Sequence, residues 1–85
     1  MSKYCYPAVI TPEKDGYSVV FPDLEGCFTC GDDLSDALWM AQDVLACCLC
    51  DMEIDDQVMP SPSYLDDIKT EKGEFVNYII CDTEL

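Results

Sequence analysis

Histidine is absent from this chain, and only four basic residues stand against eighteen acidic ones, for a net charge of −14. Without histidine there is no imidazole to activate a cysteine or serine nucleophile, and a dense negative field raises thiol pKa values. Such a surface also repels phosphate backbones, so direct nucleic-acid binding is disfavoured. The field steers basic proteins toward the chain instead, more strongly at low salt. A plainer reading is that the acids only confer solubility. No glycine-rich phosphate loop, repeat or low-complexity tract is present. No apolar run approaches the ~18 residues of a membrane span.

What is there is a normal apolar share, 49%, in 85 residues, which makes one domain, residues 1–85. A chain this short buries only about 60–65% of the surface its unfolded form exposes. The core is therefore thin, and a homodimer or tetramer is expected to help sustain it. Seven cysteines follow a start, Met1-Ser2-Lys3, that lacks an apolar leader. That combination reads as reduced thiols in the cytoplasm.

Tyr4–Thr11 is rich in β-formers, and Pro7 marks it as an edge strand or as paired on one side only at that point. Asp15-Gly16 supplies turn chemistry, and Tyr17–Phe21 completes a hairpin. Pro22–Gly26 is a loop and Cys27–Gly31 a short third strand. The period then changes. Leu34, Ala37, Leu38, Ala41, Leu45, Cys48, Leu49 and Met52 follow helical spacing. At the angular step of a helix all eight lie within about 60° of one direction. Asp33 suits the N-cap and Asp36 the third helical position, and the helix fades near Asp55-Asp56. Pro60–Ser63 forms a rigid connector, Tyr64–Thr70 a loop with one helical turn, and Glu74–Cys81 a last strand. The order β-β-β-α-β predicts an α+β fold, a sheet with one main helix packed on one face. The long connection between the third and fourth strands predicts that those two run parallel.

Two cysteine pairs, Cys27-x-x-Cys30 and Cys47-x-x-Cys50, match the arithmetic of a structural zinc site. Their settings oppose it. Residues three apart on a strand point to opposite faces, and Cys47 and Cys50 share a helix face turned away from the sheet. The expectation is no metal and no cofactor. The acid pairs Asp32-Asp33, Asp55-Asp56 and Asp66-Asp67 read as caps and solvated loops. The helix face opposite the leucine stripe carries Trp39, Met40, Ala46, Cys47 and Cys50 among Asp36 and Asp43. Two readings stand side by side. Either this is a contact surface, or the Pro60–Asp67 segment folds over it.

The runs Tyr6–Val9, Asp15–Asp32 and Pro60–Ser63, with Asp36-Ala37 between the last two, closely resemble the HicB antitoxin family. The most specific stretch is Phe21-Pro-Asp-Leu-x-Gly26-Cys-x-Thr-x-Gly-Asp32. The resemblance covers about Tyr4–Cys81. It implies a partial RNase H-like fold, no enzymatic activity of the chain itself, and a small basic partner. That partner is a HicA-type toxin, an mRNA-cleaving ribonuclease that depends on a histidine and is blocked by binding. Asp23, Glu25, Asp32, Asp36, Trp39, Met40 and Asp43 are the expected partner-binding residues, chosen by their chemistry. Many family members carry a DNA-binding segment after the last strand. This sequence ends at Asp82-Thr-Glu-Leu85, which puts promoter binding in doubt. The competing readings are a solitary HicB-like interaction module without a toxin and a residual metal-dependent nuclease.

Overall fold

The computed structural model describes residues 3–83; the readings that rest on Met1-Ser2 and Glu84-Leu85 lie outside them. Strands β1 (Lys3–Glu13), β2 (Gly16–Val20) and β3 (Phe28–Gly31) lead into helix α1 (Leu34–Ile54), and β4 (Phe75–Asp82) closes the order. A single 3₁₀ turn, Leu65–Asp67, interrupts the connector before β4. The four strands form one sheet in the order β3-β2-β1-β4, every neighbouring pair antiparallel.

Alternation along β1 sends Tyr6, Ala8 and Ile10 into the core. They meet Val19 and Phe21 from the β2 side, Ile79 and Cys81 from β4, and the buried stripe Ala37, Ala41, Leu45 and Leu49 of α1. The predicted stripe holds at its centre and fails at its start. Leu34 is exposed at the very first helical position, ahead of Ala37 where the helix closes on β3.

Of two further expectations, the one for Pro7 holds in its second form and the other is corrected. The strand carrying Pro7 is interior, flanked by β2 and β4, and not an edge strand. Pro7 is nevertheless paired on one side only, opposite Tyr78, because the β2 ladder begins at Val9. The third and fourth strands are antiparallel, not parallel. Helix α1 starts where β3 ends and finishes beside the start of β1, where the Tyr4 hydroxyl donates to Glu53 at 2.7 Å. The connector then carries the chain back along the sheet, and this second return inverts β4. At its far end the Glu74 carboxylate accepts from the Glu71 N–H and the Thr11 hydroxyl. These bonds, the Glu71 N–H first, hold its pKa below the ordinary glutamate value.

Both ends of α1 are capped by side-chain or backbone chemistry. The Asp33 carboxylate accepts from the Asp36 N–H at 2.8 Å, and the Asp36 carboxylate accepts from the Asp32 N–H at 2.9 Å. At the other end the Gln57 N–H bonds the Met52 carbonyl and the Asp56 N–H bonds that of Glu53. That is the Schellman pattern, and its left-handed position holds Asp56 (φ 56°) where glycine is usual. The β3–α1 junction is tighter still. A Cβ on Gly31 would fall on the backbone of Ala37, and one on Gly16 would fall on the Gly31 carbonyl. On the open edge of the sheet, the Gln42 side-chain amide donates to the Ile80 carbonyl at 2.8 Å.

Leu45→Ala should cost about 2–5 kcal/mol and Leu34→Ala under about 0.5 kcal/mol, read from urea midpoints. Asp56→Gly should stabilise by about 0.5–1 kcal/mol, since it relieves the left-handed residue and removes an acid from a helix C-terminus. A midpoint lowered by Asp56→Gly would contradict the capping geometry.

Candidate functional site

A cavity of about 380 Å³ opens between the last turns of α1 and the loop that follows β2. Its floor is apolar: Leu24, Cys48 and Met52. Three carboxylates stand on its rim, those of Asp23, Glu25 and Asp51. The loop is folded on itself by the Phe21 N–H donating to Cys27 O and the Leu24 N–H to Phe21 O, so Leu24 turns inward while Glu25 stays in water.

The connector supplies the remaining wall through long-range bonds. Asp23 accepts from the Ser63 N–H at 2.8 Å and from the Ser63 hydroxyl at 2.6 Å. Tyr6, from the centre of β1, donates its hydroxyl to the Pro60 carbonyl. Burial, and then the nearby Asp23 charge, push the Tyr6 phenol above its ordinary value, so it remains a donor. Gln57 and Pro60 thus join the lining.

Beneath this floor lie buried thiols. Burial pushes Cys27 up to about 12, helped by its hydrogen bond with Cys48, and pushes Cys81 up to about 11. These thiols carry no charge near neutral pH and behave as small hydrophobes. Cys30, in β3, is exposed, whereas Cys27, just before the strand, is buried. Cys47 is exposed and Cys50 half-buried on the outer side of α1. Among the described residues no group of three or more cysteine, aspartate or glutamate side chains is arranged to hold a metal ion.

The seven residues singled out from sequence fall into three places. Asp23 and Glu25 line the large cavity. Asp32 borders a smaller one, about 270 Å³, shared with Lys14 of the β1–β2 turn. Asp36 is engaged in capping α1. Trp39, Met40 and Asp43 share the outer face of α1, where Trp39 is 72% exposed. That exposure removes the cover reading: the Pro60–Ser63 stretch runs to Tyr6 and Asp23 instead. Asp43 also edges a third, largely apolar hollow with Cys47, Cys50 and Asp82. Sequence reasoning missed Asp51 and Gln57. Asp51 carries a weak signal, an acid one helical turn beyond the stripe residue Cys48. Gln57 carries none.

The uncharged thiols have a consequence for stability. A group whose folded pKa is raised contributes stability below its ordinary pKa and loses it as pH rises toward the folded value. Urea midpoints should therefore hold from pH 7 to 8 and fall as pH passes the ordinary thiol value of 9.0 toward about 11 and 12. Replacing both Cys27 and Cys81 by alanine should flatten that decline.

Comparison with known proteins places the fold and the chain. The family model described as "HicB_like antitoxin of bacterial toxin-antitoxin system" matches residues 6–83. An uncharacterized 14.9 kDa protein from the rep-hol intergenic region of Haemophilus phage HP1 is 32% identical over 75 residues. That match takes in 88% of this chain and 56% of the phage protein, so the chain spans little more than half the length of that relative. Among solved structures, a toxin–antitoxin complex from Streptococcus pneumoniae superposes with a TM-score of 0.86 at 23% identity, covering 96% of this chain and 71% of its own; it shows the fold. A HicA3 and HicB3 toxin–antitoxin complex gives a TM-score of 0.73 at 27% identity, over 93% of this chain and 99% of its own. The antitoxin HicB3 crystal structure gives 0.72 at 26%, over 89% and 60%.

Proposed function

The chain belongs to the HicB-like antitoxin family of bacterial toxin–antitoxin systems, and we propose that it acts by binding and masking a small, basic, mRNA-cleaving toxin of the HicA type. The family is one of antitoxins and not of enzymes. One of the solved structures it resembles is a HicA3–HicB3 complex, and that likeness supports a HicA-type partner here.

The observation that carries the reading is the charge of the exposed surface. Eighteen acids serve an 85-residue chain with four bases of its own, and the buried core holds no charged residue among those described. The negative field is therefore spent outward, where it competes with RNA phosphates for a basic nuclease. Glu25 and Asp43 are exposed and free of the capping duty that occupies Asp36, so they are the better candidates for contact. Trp39 and Met40 add an apolar surface of the kind that anchors interfaces. The same reading sets the pair in the cytoplasm, where mRNA is cleaved. No helix among the described residues is long and apolar enough to cross a membrane.

Co-expression with the product of any small basic reading frame adjacent to its gene tests this. The two should co-purify at low salt, separate as ionic strength rises, and RNA cleavage should stop at stoichiometric addition of this chain. Absence of a complex at low salt, or undiminished cleavage in excess antitoxin, would refute masking.

A further inference from the structure

We propose that the cavity between the end of α1 and the loop after β2 is an anchoring pocket for an arginine side chain of the partner protein. The proposal rests on the masking reading and locates one contact within it. Three independent features converge. The floor of Leu24, Cys48 and Met52 is apolar, which suits the aliphatic stem of a long basic side chain. The rim carries three carboxylates, Asp23, Glu25 and Asp51, and none of the chain's four lysines lines the cavity. The end of α1 faces the same space, as Asp51, Met52 and Gln57 show, and its terminal carbonyls add negative potential that no basic residue in the last turn offsets.

Arginine fits this better than lysine. Carboxylates drawn from a loop on one side and a helix on the other suit a planar fork with five donors more than a point charge. The pocket is also held ready. Both oxygens of Asp23 accept from Ser63, which fixes that carboxylate and the connector wall together without neutralising its charge. The second cavity lacks this character, since Lys14 already stands in it.

The test uses the full chain, a capped tri-arginine peptide and a capped tri-lysine peptide, followed by amide NMR shifts. Tri-arginine should perturb Leu24–Cys27, Cys48–Met52 and Gln57, with tri-lysine weaker. Glu25→Gln with Asp51→Asn should weaken tri-arginine binding about tenfold, while Asp66→Asn with Asp67→Asn, the same charge change elsewhere, should alter it less than about twofold. All four side chains are exposed, so unchanged melting temperatures verify folding. Perturbation spread over all acidic residues, equal losses in both doubles, or equal binding of tri-lysine would overturn the pocket. Toxin inhibition separates this from masking itself. If wild type inhibits and Glu25→Gln/Asp51→Asn inhibits equally well, the pocket fails and masking stands. If wild type does not inhibit while tri-arginine still seats in the cavity, masking fails and the pocket stands.

Discussion

The backbone of β3 meets the first turn of α1 at a separation that no side chain could enter. Gly31 lies against Ala37, and Gly16 lies against Gly31. This contact fixes where the helix begins relative to the sheet and so fixes where it ends, roughly 30 Å away for a helix of 21 residues. The buried stripe follows from that placement, because Ala37 and Ala41 are small enough for close approach while Leu45 and Leu49 fill the widening gap. The far end of α1 is thereby delivered to the loop after β2, and the acid-rimmed cavity exists only because the two arrive together.

Acids at that far end run against helix stability. The last turns hold Asp51, Glu53 and Asp55, with Asp56 in a left-handed backbone just beyond. A sequence shaped for stability alone would place a lysine and a glycine there. The proposed masking gives the departure a reason: a negative helix terminus is costly for a solitary domain and favourable when a cationic protein docks. The core shows the opposite economy, being free of charge among its described residues and lined with thiols that stay neutral.

Most of the fold could be read from the chain. The β-formers of β1, β2 and β4, the Asp15-Gly16 turn and the Asp33 cap each have a local cause, and local causes are visible in sequence. The direction of β4 was not, because it depends on how residues 55–74 travel, and an irregular connector has no period. The exposure of Leu34 was hidden for a related reason: helical spacing gives a face but not the point at which the sheet begins beneath it. The candidate site was half legible. Asp23 and Glu25 lie in a recognisable loop. Their meeting with Asp51 and Gln57 rests on the Tyr6–Pro60 and Asp23–Ser63 bonds, which join residues 54 and 40 positions apart and leave no mark in the sequence.

The amide of Gln42 on the carbonyl of Ile80 bears on what the sheet can become. β4 is the long outer strand, and its surroundings are apolar: Ile80 is 63% exposed and Tyr78 39%. Such a margin is a template for further strands. A side chain reaching over from the helix occupies an acceptor that an incoming strand would need, so growth of the sheet in that direction must first displace it. The Gln42 amide therefore competes with any strand that would add to this margin.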